Sequence, residues 1–449
     1  MGKYFGTDGI RGVAFVDLTE ELATRVGKAT GYYLRELYPG MDILVGIGKD
    51  TRISGDRIEG ALISGFISAG VSVRQLGIIP TPAVSRLTPM LGFKAGIVIS
   101  ASHNPVRDNG IKLFDAQGYK LSEAAEDRIE ELLGSLDRVS MPQKPANFRH
   151  LPSASDQYME SILTLYPKNM LKGIKIIADL AHGATYKTTP AVLSALGAQV
   201  TSIHNTPDGN KINVACGSTN PDNITNYALI NRLSFDVGIT HDGDGDRVLA
   251  LDSRGNLIDG DVIMSLCAMN RKKEGNLPGD GVVGTLMTNE GIIDFLKEDG
   301  ITLYRSDVGD KYVLRDMQRL HYNIGGEQSG HILFMDLVPS GDGLVTSLEY
   351  LKTLVQSDFK ILEKTKNINF YHQKLTNLRV KDQMSIMNSE SFQTSLSEIV
   401  NAYPEVRINV RPSGTESILR ILTEARNKEL VDNVSTQIEG LVKINLNFR

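Results

Sequence analysis

Ile43-Leu44-Val45-Gly46-Ile47-Gly48 is an unbroken apolar run of the length of one buried strand. A helix-like stretch follows as far as Ala69, Gly70 supplies a stop, and Val71-Ser72-Val73 resumes strand character. Strand, helix, strand is the βαβ unit of an α/β domain. The order returns at residues 174–179, with a helical stretch ending at Leu196-Gly197 and a strand at 198–202. It returns again at residues 282–285, with Gly300 ahead of a strand at 301–305. Three related mixed α/β domains are the simplest organisation.

The chain has 449 residues, too many for one ordinary hydrophobic core. Residues 134–153 carry Pro142, Pro145 and Pro152 among polar residues and read as a linker. The first domain is therefore expected over residues 1–150, the second over 151–255 and the third over 256–365. Near Lys364-Thr365-Lys366-Asn367 the helical pattern stops. Beyond it lie strand-like residues 407–410 and 418–422, then a helix with Leu430, Val434, Ile438 and Leu441 on one face. This predicts a smaller C-terminal α+β domain over 366–449, with all four arranged around a central cleft.

A net charge of -5, from 48 Lys plus Arg against 53 Asp plus Glu, gives no global field for nucleic acid or an anionic membrane. An anionic ligand must be held locally. Two cysteines far apart, Cys216 and Cys267, speak against a disulfide framework and exclude a cysteine-based zinc site. The start, Met1-Gly2-Lys3-Tyr4-Phe5-Gly6, has no apolar leader pattern, and the apolar stretch 61–73 is interrupted by Gly65, Ser68, Gly70 and Ser72. A soluble, cytoplasmic protein is expected, of open oligomeric state.

Residues 236–240 run as a strand into His241-Asp242-Gly243-Asp244-Gly245-Asp246-Arg247, and residues 248–252 form another strand. Carboxylates at alternate positions point the same way, and the glycines between them let their oxygens converge on one hard cation. An EF-hand needs Gly at its sixth position and Glu at its twelfth, where Arg247 and Ser253 stand. Mg2+ is the expected ion if a phosphate completes its shell.

Gly96-Ile97-Val98-Ile99-Ser100-Ala101-Ser102-His103-Asn104-Pro105 is a second apolar strand ending in a polar turn. Taken alone, Ser102 reads as a turn serine: adjacent residues on an extended chain point apart, and no Gly-x-Ser-x-Gly elbow is present. Asp108-Asn109-Gly110-Ile111-Lys112 changes that balance, because a turn and a returning strand bring Lys112 to the same rim, as a phosphate partner or a base. Arg411-Pro412-Ser413-Gly414-Thr415-Glu416 combines a guanidinium, hydroxyls and a glycine-permitted backbone nest, the groups that cradle a phosphate dianion. Gly325-Gly326-Glu327-Gln328-Ser329-Gly330-His331 offers polar side chains suited to adjacent sugar hydroxyls. No phosphate-binding Gly-x4-Gly-Lys-Ser/Thr loop, helix-opening Gly-x-Gly-x-x-Gly or zinc-protease motif is present.

In chain order these four loops resemble the site loops of the α-D-phosphohexomutase superfamily, one per domain. Tyr4-Phe5-Gly6-Thr7-Asp8-Gly9-Ile10-Arg11-Gly12, Asn109-Gly110-Ile111-Lys112, Cys216-Gly217-Ser218-Thr219 and Val308-Gly309-Asp310-Lys311-Tyr312-Val313 extend the resemblance over the whole chain, nearest to its bacterial phosphoglucosamine mutase branch. The resemblance implies an intramolecular phosphotransferase of the isomerase class, serving amino-sugar metabolism and cell-wall precursors. It implies a phosphorylated Ser102 that interconverts glucosamine 6-phosphate and glucosamine 1-phosphate through a 1,6-bisphosphate. One Mg2+ is implied on Asp242, Asp244, Asp246 and the phosphorylated Ser102, with His103, Lys112 and Arg247 in the catalytic set. Arg11, Glu327, Ser329, His331, Arg411, Ser413, Gly414 and Thr415 are implied to hold the sugar phosphate. Phosphomannomutase or phosphoglucomutase activity stays open as an alternative. So does a paralogue that binds sugar bisphosphates without turnover, since Ser417 stands where relatives have proline. His182 stands where relatives have asparagine and is expected to matter little.

Overall fold

The computed structural model describes residues 4–6, 8–136, 145–413 and 417–447. Its first unit is a six-stranded sheet in the order β1-β5-β4-β2-β3-β6: β1 Ile10–Val13, β2 Leu44–Lys49, β3 Ser72–Ile78, β4 Ala95–Ile99, β5 Asp108–Phe114 and β6 Phe148–His150. The opening apolar run is β2, paired in parallel with β3 and β4, which fixes all three carboxyl ends on one edge. Helices α1 Glu20–Leu37, α2 Gly55–Ser68, α3 Thr81–Met90 and α4 Glu123–Ser135 flank the sheet. Two of them touch backbone to backbone, since a Cβ on Gly65 would lie 2.1 Å from the Thr24 carbonyl oxygen. Ile47, Ile97, Phe66 and Leu62 are fully buried between sheet and helices, each stabilising the unit by about 1.5–3 kcal/mol.

The second unit repeats the plan with α5 Ala154–Leu163, α6 Thr188–Ala195 and α7 Asp222–Asn231 around the strand order β11-β10-β9-β7-β8. Its strands are β7 Lys175–Asp179, β8 Gln199–Ile203, β9 Val237–His241, β10 Val248–Asp252 and β11 Leu257–Ile258. The third unit has the order β13-β12-β14-β15, from β12 Gly281–Thr285, β13 Thr302–Ser306, β14 Ile324–Gly326 and β15 Ile332–Phe334. It is covered by α8 Gly260–Lys273, α9 Glu290–Glu298, α10 Asp310–Leu320 and α11 Gly343–Gln356, followed by the short α12 Ile361–Lys364.

The fourth unit is an antiparallel sheet of β16 His372–Arg379, β18 Ile418–Ala425 and β17 Arg407–Pro412, in that order, with α13 Gln383–Met387, α14 Glu390–Ala402 and α15 Lys428–Asn447. Val434 and Ile438 are fully buried on one face of α15 and pack with Leu430 and Leu441, as their helical spacing predicts. The architecture is α/β throughout, with a smaller α+β unit at the end.

Two details differ from the expected boundaries. The proline-containing stretch expected as linker holds β6, which adds to the first sheet through main-chain bonding beside Val73, Arg74 and Gln75. The strand β11 pairs with Ala250 and Leu251, so the second sheet runs beyond residue 255. Among the described residues no helix is long and apolar enough to cross a membrane.

Candidate active site

Ser102 stands just past the carboxyl end of β4, and its backbone is left-handed at φ 51°. That conformation alters the relation expected between neighbours: Ser102 Oγ lies 3.3 Å from His103 Nδ1, where an extended chain would separate them. The loop is held by groups that were not singled out in the sequence. Arg52, at the end of β2, is buried and donates to the carbonyl oxygens of Ser102, Asn104, Pro105 and Asp108. Its Nε donates to Asp50 at 2.9 Å, and Asp50 accepts from Ser100 Oγ, which in turn accepts from the Ser102 amide at 2.8 Å.

The carboxylate loop leaves β9 and meets this turn. Ser102 Oγ donates to Asp242 Oδ2 at 2.5 Å, and Asn213 Nδ2 donates to the Ser102 carbonyl at 2.8 Å. Gly243 permits the approach, since a Cβ there would lie 2.8 Å from the Ser102 carbonyl oxygen. Asp242, Asp244 and Asp246 each bring an oxygen within 4.8 Å of the others, and all three are buried. Lys112 Nζ, on β5 opposite Val98, donates to Asp244 at 2.9 Å and to Asp246 at 3.0 Å and lies 3.3 Å from Asp8. Thr81 Oγ1 donates to Asp244 Oδ2 at 2.6 Å.

This charge arrangement calls for a cation. Burial, then the charges of Asp246 and Asp244, push the Asp242 carboxyl well above the ordinary carboxylate range. Asp244 Oδ1 and Asp246 Oδ1 are buried without a hydrogen-bond partner, so two oxygens have capacity left for a metal ion. At Lys112 burial disfavours the ammonium, but Asp244, Asp246 and Asp8 outweigh it and hold the group well above its usual range. Burial, then the charges of Arg247 and Arg11, lower His103 to about 4, leaving a neutral ring beside Ser102 at pH 7.

His331 belongs to the same cluster, with Nδ1 3.7 Å from Asp246 and Nε2 3.4 Å from Asp310. Burial opposes its protonation, and Asp246 reverses the balance. Arg11 pairs with Asp8, and Lys120 bridges Asp8 to Asp310. Arg247 Nε approaches Asp246 at 3.9 Å. Glu327 opens a tight turn in which the Gly330 amide donates to its carbonyl, and its Oε1 accepts from the Gly309 amide at 3.1 Å. Ser329, on the same turn, is exposed.

The C-terminal loop follows β17 in the fourth unit. Arg411 reaches Met287 Sδ at 4.0 Å, and burial and Arg420 depress its guanidinium while Asp307 and Glu327 act the other way. Ser413 is buried, and its carbonyl accepts from Gln383 Nε2 at 2.7 Å. Gly414 and Thr415 lie outside the described residues. The Ser417 carbonyl accepts from the Val380 amide at 3.0 Å. Lys49-Asp50-Thr51-Arg52, a polar cluster ending an apolar strand, was the available signal for the missed support.

Four family descriptions match the chain in order. They are phosphoglucomutase/phosphomannomutase α/β/α domain I at residues 2–139, domain II at 156–255, domain III at 259–369 and the C-terminal domain at 375–441. A phosphoglucosamine mutase from Alkaliphilus oremlandii is 42% identical over 453 aligned positions, covering 100% of both chains. The chain belongs to the phosphoglucosamine mutase family. Its activity is that of a phosphohexomutase, an isomerase that transfers phosphate within the substrate. A phosphoglucomutase/phosphomannomutase family protein from Burkholderia thailandensis has the same fold, at TM-score 0.80, 21% identity and coverage of 98% and 97%. So does Aspergillus fumigatus N-acetylphosphoglucosamine mutase, solved with GlcNAc-6P and magnesium, at TM-score 0.66, 18% identity and coverage of 98% and 95%. Family membership implies a metal ion and a phosphoserine, and the carboxylate cluster fits the metal ion.

Proposed function

We propose that the chain interconverts glucosamine 6-phosphate and glucosamine 1-phosphate with Ser102 as the phosphoryl carrier. The observation that carries this reading is the 2.5 Å bond from Ser102 Oγ to Asp242, inside the cluster of three carboxylates and Lys112. Phosphoryl transfer needs alignment and charge neutralisation more than covalent chemistry from the protein. The network of Arg52, Asp50 and Ser100 supplies the alignment.

Phosphorylated Ser102 gives its group to the free hydroxyl of the bound sugar monophosphate. The serine O–P bond breaks and the sugar O–P bond forms. The hydroxyl proton passes through His103, neutral at pH 7, to Ser102 Oγ. The 1,6-bisphosphate then turns over, and its other phosphoryl group returns to Ser102 while the proton retraces its route. Lys112, ion-paired to carboxylates, acts as a fixed positive charge and not as a base. Arg247 and Arg11 offset further charge, and His331 is held by Asp246 and Asp310 at the substrate side of the cluster. Glu327 and Ser329 hold sugar hydroxyls, while Arg411, Ser413, Gly414 and Thr415 grip the phosphate that is not reacting.

Asp242, Asp244 and Asp246, together with the phosphorylated Ser102, would hold Mg2+, which when bound would neutralise charge on the transferring group. Magnesium and a sugar 6-phosphate in the Aspergillus fumigatus structure support this choice. Two free, buried cysteines agree with a reducing compartment, the cytoplasm.

The test is intact mass spectrometry for one phosphoryl group on the native chain and its discharge onto glucosamine 6-phosphate. Ser102→Ala loses both the group and turnover while its circular dichroism stays native. Normal turnover by Ser102→Ala in a preparation free of native enzyme sinks the assignment. Parallel rates on glucosamine, glucose and mannose 6-phosphates test the substrate, and glucosamine 6-phosphate is expected to be fastest.

A further inference from the structure

A second cluster lies at the carboxyl edge of the second sheet, where Asp179 stands in register with Thr240 of β9. Asp179 ends β7, His204 follows β8, and Cys216 closes a loop that starts near Lys211. Each offers one ligand atom, an oxygen, a nitrogen and a sulfur, all within 4.8 Å of one another. Asp179 and Cys216 are fully buried at 0%, while the His204 side chain keeps 32% of its surface open. The Ala181 amide donates to Asp179 Oδ1 at 3.0 Å, which leaves Oδ2 turned toward the other two residues.

Asp179 Oδ2 and His204 Nδ1 are 3.0 Å apart, and bonding to Asp179 raises the imidazole above its ordinary value against the effect of burial. The two atoms face each other without good hydrogen-bond alignment. Two ligands on one tetrahedral zinc-class ion, bound at about 2.0–2.1 Å, lie about 3.3 Å apart without bonding to each other. The observed spacing is within a few tenths of an ångström of that.

We propose that Asp179, His204 and Cys216 form a second divalent-cation site, of zinc class, separate from the carboxylate loop. A thiolate and an imidazole favour Zn2+ over Mg2+, whereas the all-oxygen carboxylate loop favours Mg2+. Two cysteines far apart in sequence exclude a site built mainly from cysteines, but this set needs only one, which the fold completes with an imidazole and a carboxylate. Binding breaks the Cys216 S–H bond, forms a metal–sulfur bond and releases one proton to solvent. Solvent on the open side of His204 supplies the fourth position. The ion ties the two strand ends to the loop carrying Asn213, whose side chain holds the Ser102 carbonyl.

The test is titration of the full-length protein with Co2+ and then Zn2+, with Mg2+ in saturating excess over the carboxylate loop. One Co2+ per chain with a thiolate-to-cobalt charge-transfer band is expected, and Zn2+ should displace it. Cys216→Ser should abolish the band. His204→Gln, at a partly exposed position, should weaken Zn2+ binding by at least about tenfold and leave the Mg2+ affinity of the carboxylate loop unchanged. Absence of the band in the native chain overturns the proposal, because a bare ion pair would give none. Unchanged Zn2+ affinity in His204→Gln also overturns it, and that variant carries the test if Cys216→Ser does not fold.

Discussion

Ser102 holds a left-handed backbone, which costs a non-glycine residue about 1–2 kcal/mol. The surroundings offset this, because Arg52 donates to four carbonyl oxygens of the turn while Asn213 holds the Ser102 carbonyl from the other side. A lysine at position 52 keeps the charge but lacks the planar fork, leaving several of those buried carbonyls without donors. Arg52→Lys should therefore lower kcat by roughly a hundredfold with a small change in KM, and slow Ser102 phosphorylation in parallel. Native kcat in steady-state assays would show that Arg52 does not position the nucleophile. The convergence of the three carboxylates was legible in the sequence because alternate spacing brings their oxygens together, whereas Ser102 alone read as a turn serine and stood out only beside the other loops. For Arg52 the polar run from Lys49 marks only a strand end, and it does not tell that the arginine will meet carbonyls some fifty residues away, from Ser102 to Asp108.

At the scale of elements, short continuous apolar runs predicted β2, β7 and β12, which are buried along nearly their whole length, and helical spacing predicted α15. The strand β6 has all three residues exposed, so its pairing is purely main-chain and no side-chain pattern announces it. The helix α11 shows what a cap adds. Asp342 Oδ1 accepts from the Leu344 and Val345 amides at 2.9 and 3.1 Å, and Oδ2 accepts from Tyr158 Oη at 2.8 Å, joining α11 to α5. Burial raises this carboxyl to about 6 despite those bonds. The folded state therefore holds a proton that the unfolded chain, with an ordinary carboxyl near 4, has already lost. This contribution to stability is present below about pH 4 and is lost as pH rises to about 6, by an order of 3 kcal/mol. Asp342→Asn can still accept from the helix amides and cannot titrate, so its urea-unfolding stability should change less with pH across that window. An equal slope in both proteins would assign the pH dependence elsewhere.

Across the whole molecule, the site exists only where units meet. Ser102 and Lys112 come from the first sheet, the three carboxylates from the second, and His331, Asp310 and Glu327 from the third. Lys120 with Asp310, and Lys311 with Glu123 at 2.8 Å, join the first unit to the third around that cluster. Three buried carboxylates at this seam repel one another, and Lys112 offsets only part of their charge. A bound cation should thus stabilise the assembly of units as well as the reaction. Ligand linkage gives about 2.7 kcal/mol at one hundred times Kd. Chelation should lower the unfolding temperature, and Mg2+ should restore it. The chain has no tryptophan, so circular dichroism is the suitable readout. In Asp242→Asn the repulsion and one charged ligand disappear together. Without Mg2+ the variant should unfold at or above the temperature of the native chain, and it should respond to Mg2+ much less. An Asp242→Asn protein that unfolds earlier without metal, yet gains as much from Mg2+ as the native chain, would mean that the carboxylates are held by the fold alone and that the cation binds elsewhere.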